Sequence, residues 1–344
     1  MKAMMLTGIR KMEMKNIPEP ALVNPTDVKI KMLTVGICGS DIHYYTEGQI
    51  GSQIVEYPFT VGHEGSGVVV EVGKAVKKIK PGVQIAIEPA MPCWKCDQCL
   101  AGRHHTCRKL RFLGCPGQAE GCLTEYIVMP ETSCFPLSGK LNPDHGSISE
   151  PLAIGVYGVK KADCTKDQSI GIFGFGPIGM SIMLASKALG IDNIHVTDLI
   201  DERLSIATLE GAVSSGNPHK ENIVNNILGY NPLGLDIAFE CCGKQEAMDQ
   251  AITLLKPGGK LIVVGIPAFE RWSMDVDATR RKEISLQFIR RQVDCVEKAL
   301  ELMRTGSISI NNMITHRFPF DKTKEAFDLV AGYKDGVMKA MIEF

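Results

Sequence analysis

The sequence predicts an α/β protein in which a doubly wound parallel sheet is joined to a second, mostly β domain. Three observations support this prediction. At 344 residues the chain exceeds the size of a typical single domain. Its first 150 residues contain short strands broken by turns, and strands alternate with helices from about Pro151 onward. We therefore expect two domains with different architectures.

The mostly β part is predicted from short runs of β-prone residues separated by Gly and Pro clusters. The strands expected there are Asp27–Val35, Gly67–Val72, Gln84–Ile87 and Leu123–Val128.

The doubly wound part is predicted from buried strands that alternate with helices of apolar periodicity. The expected strands are Ser169–Phe173, Asn193–Thr197, Leu235–Phe239 and Lys260–Val264, and the expected helices are Pro177–Leu189, Glu202–Leu209 and Gln245–Leu255. After Glu283 the pattern becomes mixed again, with helices expected near Asp294–Arg304 and Lys322–Ala331.

Composition and charge exclude several classes of protein. A hydrophobic fraction of 44% with 22% charged residues fits a folded globular protein rather than a disordered one. The net charge of −1 gives no positive field for nucleic acid or anionic lipid, so a small-molecule partner is expected. Residues 1–10 lack the apolar run of a secretory signal, and the apolar stretch Leu261–Phe269 is too short to cross a bilayer. We expect a cytoplasmic protein with no membrane partner.

A glycine pattern points to dinucleotide binding. Gly174-Phe175-Gly176-Pro177-Ile178-Gly179 matches G-x-G-x-x-G, follows a predicted strand and opens a predicted helix. Gly174 permits the turn, Gly176 lets the backbone approach a pyrophosphate, and Gly179 allows the helix to pack closely on the strand.

Asp198 follows the next predicted strand, at the place of a ribose-binding acid. A carboxylate there accepts hydrogen bonds from the ribose diol and repels a 2′-phosphate, which favours NAD over NADP. A solvated strand end or a helix cap is the alternative interpretation of Asp198. Arg203, in the helix that follows, is a further candidate for cofactor binding.

Four cysteines are clustered within fifteen residues. Cys93, Cys96, Cys99 and Cys107 have the spacing C-x2-C-x2-C-x7-C, and four soft thiolates in one short loop suit a closed structural zinc site. An iron–sulfur cluster and disulfides are the lesser alternatives.

A second set of metal-ligating residues is dispersed: Cys38, His63, Glu64 and Glu150. Taken singly, each has an ordinary structural interpretation. A lone Cys is usually a small buried hydrophobe, a lone His is often a hydrogen-bonded core residue, and Glu before Pro is often a turn. The sequences around these four residues favour their interpretation as one metal site.

Those local sequences resemble the zinc signature of the medium-chain dehydrogenases. The resemblance rests on Gly62-His63-Glu64 with Gly67, Gly73 and Val76, and it extends along nearly the whole chain. The chain looks most like the sorbitol (L-iditol) and related polyol dehydrogenases. The segments that carry this closer likeness are Gly36-Ile37-Cys38-Gly39-Ser40-Asp41-Ile42-His43-Tyr44, Ser149-Glu150-Pro151-Leu152-Ala153, Val196-Thr197-Asp198-Leu199 and Thr315-His316-Arg317-Phe318-Pro319.

The resemblance implies a domain arrangement and a metal site. Residues 1–150 and 286–344 would form a GroES-like catalytic domain, and residues 151–285 a Rossmann domain. Cys38, His63 and Glu64 would bind a catalytic zinc, with Glu150 holding a water or approaching the metal itself. In the alcohol dehydrogenase branch a cysteine often stands in the place of Glu150, and this departure favours the polyol branch. Which of the two glutamates is a ligand at rest stays open.

The implied reaction is hydride transfer from a secondary hydroxyl of a polyol to NAD. Zinc lowers the pKa of the hydroxyl, and the nucleotide domain presents the nicotinamide. Ser40 and His43 are candidates for a proton relay, with Glu150 as a competing route, although a turn hydroxyl and a ribose or backbone contact explain the first two equally well. Tyr44 and Arg291 are candidates for substrate binding.

Other functions remain possible on the same scaffold. Arg290 and Arg291 could clamp a phosphate, which would indicate a sugar-phosphate substrate, or they could form a salt bridge at a domain or subunit boundary. A threonine-type or other secondary alcohol is a further substrate class, and a nucleotide-binding protein without zinc chemistry is disfavoured by the intact zinc residues. Relatives in this branch are commonly tetramers, so a homotetramer is expected.

Overall fold

The computed structural model describes all 344 residues, which divide into two compact units. The first unit contains residues 1–150, 296–306 and 314–344, and the second contains residues 151–295 and 307–313. The stretches 286–295 and 307–313, both expected in the catalytic domain, therefore lie in the second unit. For the first of them the physical reason is that a strand at 285–288 extends the parallel sheet of that unit.

Nineteen strands and ten α-helices make up the chain. The strands are β1 (Lys2–Gly8), β2 (Lys11–Asn16), β3 (Asp27–Gly36), β4 (Gln49–Ile50), β5 (Gln53–Ile54), β6 (Glu64–Val72), β7 (Gln84–Ile87), β8 (Ala90–Met91), β9 (Arg111–Phe112), β10 (Tyr126–Pro130), β11 (Cys134–Pro136), β12 (Ile170–Phe173), β13 (Ile194–Thr197), β14 (Ser214–Gly216), β15 (Leu235–Glu240), β16 (Leu255–Val263), β17 (Ser285–Phe288), β18 (Ile314–Pro319) and β19 (Lys339–Glu343). The helices are α1 (Gly39–Glu47), α2 (Asp97–Leu100), α3 (Pro143–Lys161), α4 (Pro177–Ala188), α5 (Asp201–Leu209), α6 (Ile223–Tyr230), α7 (Gln245–Leu254), α8 (Val276–Arg281), α9 (Val296–Thr305) and α10 (Thr323–Ala331).

The first unit is built around a seven-stranded sheet. Its strand order is β11-β7-β6-β3-β19-β18, and β10 pairs with β3 beside this path. The ten-residue β3 pairs with β6 along one edge and with β10 and then β19 along the other. Small strand pairs, β1-β2, β4-β5 and β8-β9, complete the unit. The long central strand thus fixes where β6 and β19 begin, on either side of the carboxyl end of β3.

The core of the first unit is formed by buried apolar residues of the strands, of the segments that connect them and of α10. It includes Leu6, Ile30, Met32, Val61, Ile85, Leu123, Phe327 and Ile342, all of them buried.

The second unit contains a parallel sheet with the strand order β14-β13-β12-β15-β16-β17. This is the order 3-2-1-4-5-6 of the Rossmann fold, and the direction of strand order reverses between β12 and β15. All four residues of β12 are buried, as expected for a parallel strand that is covered on both faces. The predicted α/β fold class is confirmed.

None of the helices combines the length and the apolar character needed to cross a membrane.

Candidate active site and metal centres

The four clustered cysteines converge on one point. Their sulfur atoms all lie within 4.8 Å of one another, and Cys96 Sγ is 3.6 Å from Cys99 Sγ and 3.8 Å from Cys107 Sγ. A tetrahedral zinc site with Zn–S bonds of about 2.3 Å requires sulfur atoms about 3.8 Å apart. The donor set and the spacing therefore fit a closed zinc site.

The backbone around this loop stabilises thiolates. The amide N–H of Cys93 and that of Lys109 donate to Cys107 Sγ over 3.2 Å and 3.4 Å. Backbone N–H groups, with Arg108 first, lower the pKa of Cys96 to about 6, whereas burial raises the pKa of Cys99. Four neighbouring thiols ionise together only when a cation offsets their mutual repulsion. A bound Zn²⁺ would supply that charge.

A second group unites three of the dispersed residues. Cys38 precedes α1, His63 precedes β6 and Glu64 is the first residue of β6, and their ligand atoms lie within 4.8 Å of one another. One sulfur, one nitrogen and one oxygen form the three-ligand set of a catalytic zinc site, which keeps a further position for substrate. Of the two glutamates, Glu64 belongs to this group. Glu150 lies on α3, is buried, and is not a member of the group.

Asp41 holds the second group together and is not among the site residues predicted from the sequence. Its Oδ1 lies 3.4 Å from His63 Nδ1 and accepts the Gly62 N–H over 3.1 Å, while its Oδ2 accepts the Cys38 N–H over 3.1 Å. A carboxylate on Nδ1 orients the imidazole so that Nε2 faces a metal. The position of Asp41 three residues after Cys38, in the first turn of α1, is the signal that could have identified it.

The charges near this group are buried and close to one another. Burial lowers the pKa of His63, but the negative charges of Asp41 and Cys38 outweigh it and raise that pKa well above its ordinary value. Lys339 is also buried, and its Nζ donates to both carboxylate oxygens of Glu64. Burial lowers the pKa of Lys339, and Glu64 followed by Cys38 reverses this and raises it.

The glycine loop lies at the carboxyl end of β12. Gly174 has a φ of +96°, which an L side chain rarely adopts, and α4 begins with Pro177 immediately after Gly176. A Cβ atom on Gly179 would lie 2.1 Å from the carbonyl oxygen of Gly174. The loop and the first turn of α4, which contains Ile178, therefore pack so closely that only glycine fits at position 179. This arrangement suits a dinucleotide pyrophosphate at a helix N-terminus.

Asp198 and Arg203 lie beside this loop. Asp198 Oδ2 accepts the N–H of Phe175 over 2.6 Å, and its Oδ1 accepts the N–H of Ile200 over 2.9 Å. The Nη1 atom of Arg203 is 3.4 Å from the place where a Gly176 Cβ would be. The residues selected from the sequence for cofactor binding thus meet at one edge of the parallel sheet.

The remaining candidates belong to different units. Ser40, His43 and Tyr44 all lie on α1, close in sequence to Cys38. His43 Nδ1 is 3.5 Å from the Glu47 carboxylate, and the buried Tyr44 hydroxyl donates to Gln53 Oε1 over 3.0 Å. Arg290 and Arg291 follow β17 in the second unit, where Arg291 has a φ of +55°.

Two family models match the chain. The Alcohol dehydrogenase GroES-like domain matches residues 24–139, and the Zinc-binding dehydrogenase model matches residues 177–305. Sorbitol dehydrogenase of Bacillus subtilis is 32% identical over 99% of this chain and 97% of its own. The chain belongs to the zinc-dependent medium-chain dehydrogenases.

Further relatives place this medium-chain dehydrogenase in the polyol branch. L-idonate 5-dehydrogenase of Vitis vinifera is 33% identical, covering 95% of this chain and 90% of its own. A solved oxidoreductase of unknown specificity from Escherichia coli is 29% identical with a TM-score of 0.94, covering 99% of this chain and 98% of its own. A putative zinc-binding dehydrogenase from Sinorhizobium meliloti, solved with NADP bound, is 29% identical with a TM-score of 0.91. The match covers 100% of this chain and 99% of that one. The resemblance inferred from the sequence is confirmed, and the protein is an oxidoreductase that uses a nicotinamide cofactor.

Proposed function

We propose that this dehydrogenase oxidises a secondary hydroxyl of an unphosphorylated polyol to a ketone, with NAD as hydride acceptor. The observation that carries the proposal is the group of Cys38, His63 and Glu64, whose sulfur, nitrogen and oxygen suit one zinc ion with a position left for a substrate oxygen. The names of the relatives, which include a sorbitol dehydrogenase and a D-xylulose reductase, support a polyol substrate.

The chemistry divides between zinc and the protein side chains. When bound, zinc supplies Lewis-acid polarisation of the substrate hydroxyl. Asp41 fixes the imidazole of His63 through Nδ1. Ser40 Oγ and the His43 ring nitrogens, both on α1, would carry the hydroxyl proton toward solvent, with Glu150 as the competing route that holds a water. Tyr44 and Arg291 would offer polar groups to the other substrate hydroxyls.

A substrate panel tests this proposal. Sorbitol, xylitol or a similar polyol is expected to exceed ethanol and butanol in kcat/KM by about 10³-fold or more, since a site built to bond hydroxyls leaves buried polar groups unpaired when they are missing. The measurement is the formation of NADH with each substrate at several concentrations. Faster turnover of a plain primary alcohol than of every polyol tested would reject the substrate and leave the metal assignment intact.

The same substrate panel distinguishes an unphosphorylated polyol from the main alternative substrate, a sugar phosphate. If Arg290 and Arg291 form a phosphate clamp, a hexitol phosphate will be the best substrate and Arg291→Ala will abolish that preference. A threonine-type substrate would be revealed by activity with an amino alcohol instead.

We propose NAD specificity on the basis of Asp198. Its carboxylate lies at the edge of the glycine loop, where a negative charge repels a 2′-phosphate. Wild-type protein is expected to prefer NAD over NADP in kcat/KM, and Asp198→Ala is expected to narrow that preference by about tenfold or more. Because a similar solved structure holds NADP, both cofactors are titrated in parallel. Equal use of both by the wild type would contradict the assignment.

We propose further that the protein is a cytoplasmic homotetramer. All residues of β17 are exposed, including Leu286 and Phe288, and β17 is the last strand of the parallel sheet. An exposed strand edge with apolar side chains supports association with a second copy. Twelve free cysteines, eight of which lie outside the four-cysteine loop, support a reducing compartment. Light scattering coupled to size exclusion measures the mass, and a monomer would contradict the proposal.

A further inference from the structure

Lys339 is buried beside the ligand group of the proposed catalytic zinc. Only 1% of its surface is exposed, and its Nζ donates to Glu64 Oε1 over 2.7 Å, to Glu64 Oε2 over 2.6 Å and to the carbonyl oxygen of Ile37 over 3.0 Å. An ammonium group has three protons, and these contacts use all of them. Lysine is almost never buried to this extent unless it is paired, so the side chain has a fixed partner in Glu64.

The backbone holds Lys339 and the ligands in register. β19 pairs with β3 through Met341 and Gly36, and Gly36 also pairs with Glu64 on β6. The N–H of Ile37 donates to the carbonyl oxygen of Ala340 over 3.0 Å. Ile37, which immediately precedes Cys38, is therefore bound at its N–H by one residue of β19 and at its carbonyl by the Lys339 side chain.

Gly36 leaves the space that the Glu64 carboxylate occupies. A Cβ atom at position 36 would lie 2.3 Å from Glu64 Oε2, far inside van der Waals contact. The absent side chain lets the carboxylate lie across β3 toward Lys339. The contact between Glu64 and Lys339 is thus built into the strand pairing and does not depend on a flexible surface side chain.

This contact weakens Glu64 as a metal ligand. Each carboxylate oxygen has about two acceptor positions, so hydrogen bonds from Lys339 leave one position on each oxygen for a metal. The ammonium also draws electron density from the carboxylate, which weakens the bond that this carboxylate can form to a cation in a buried site. The Lys339 Nζ atom makes its hydrogen bonds to Glu64 and to the Ile37 carbonyl oxygen, and it makes none to the side chain of Cys38 or His63.

We propose that Lys339 is a positioning residue that holds Glu64 and keeps it the weakest ligand of the catalytic zinc. The inference rests on the proposed zinc site, because it concerns how one of its ligands is bound. In this role Lys339 affects the rate at which the catalytic zinc is released and does not select the substrate.

The test is the rate at which zinc leaves the loaded enzyme for a coloured chelator. Lys339→Met removes the charge and preserves the length of the side chain, so the catalytic zinc is expected to leave about tenfold more slowly than from wild type. Zinc at the four cysteines provides an internal control whose release rate should not change. Lys339→Arg retains the positive charge and is expected to release the catalytic zinc at nearly the wild-type rate. Release from Lys339→Met as fast as or faster than from wild type would overturn the inference.

A second comparison covers the case in which Lys339→Met alone does not fold. Glu64→Gln combined with Lys339→Met removes both charges of the buried pair, a change that proteins often tolerate. If Lys339 acts through Glu64, this double variant will release the catalytic zinc at the rate of Glu64→Gln alone. A further slowing in the double variant would overturn the inference.

Elemental analysis of the wild type separates this inference from the proposed function. One zinc ion per chain would reject the proposed catalytic site, and the inference with it. Two zinc ions per chain together with an unchanged release rate in Lys339→Met would reject the inference alone.

Discussion

Cys38→Ala is expected to lose one of two zinc ions per chain and to lower kcat/KM for polyol oxidation by about 10³-fold or more, since Lewis-acid stabilisation is worth several kcal/mol. The variant removes the only sulfur ligand of the group that also contains His63 and Glu64. The zinc ion at the four cysteines should remain, because none of its ligands is changed. Zinc content by elemental analysis and steady-state kinetics measure the two effects.

Cys134→Ala is the matched control for this experiment. Cys134 is a buried cysteine on β11 of the same unit and belongs to neither group of possible metal ligands. It should retain both zinc ions and nearly full activity. A Cys38→Ala variant that keeps two zinc ions and full turnover would show that the catalytic metal lies elsewhere.

Gly179→Ala is expected to weaken NADH binding by about 100-fold, which corresponds to about 2.7 kcal/mol of binding free energy. The added Cβ would lie 2.1 Å from the Gly174 carbonyl oxygen, so either α4 or the glycine loop must move away from its position. Titration of NADH fluorescence gives the dissociation constant, and zinc content reports whether the first unit is intact.

Gly229→Ala provides the glycine control. A Cβ at Gly229, within α6, meets nothing within 4 Å, so alanine there should leave NADH binding unchanged and raise helix stability slightly. If Gly179→Ala binds NADH as tightly as the wild type does, close packing at this position is not what forms the dinucleotide site.

The parallel unit was predictable because its signals are local. The helix expected at Pro177–Leu189 is observed at Pro177–Ala188, and its apolar periodicity and initial proline need no tertiary information. The strand expected at Lys260–Val264 instead begins at Leu255, because Gly258 and Gly259 obscure its first half in the sequence.

Helix α3 is where local signals failed. It runs from Pro143 to Lys161 through Pro151, a residue that the interior of a helix disfavours, and Glu150 before proline suggested a turn. Contacts elsewhere in the fold, such as the hydrogen bond from Ser147 Oγ to the carbonyl oxygen of Thr34, stabilise the helix despite this residue. No periodicity in the sequence reports such a contact.

The candidate site residues show the same contrast between local sequence signals and contacts of distant residues. The four cysteines lie within fifteen residues and were predicted as a metal site from their spacing, and the glycine loop was predicted from its spacing together with the strand before it and the helix after it. Lys339 was not identified, because a single lysine 275 residues away from Glu64 carries no local sign that the two will meet. Only the pairing of β19 with β3 reveals it.

The place of β19 within its sheet determines when that sheet can be completed during synthesis. Residues 27–36 emerge from the ribosome early, yet one edge of β3 near Gly36 has no partner until Met341 has been made. Pairings between such distant segments slow folding, and an unpaired strand edge can recruit other chains in the meantime. The continuous stretch 151–295, by contrast, has its six sheet strands available much earlier. The metal group around Glu64 is thus among the last parts of the nascent protein to acquire its full set of contacts.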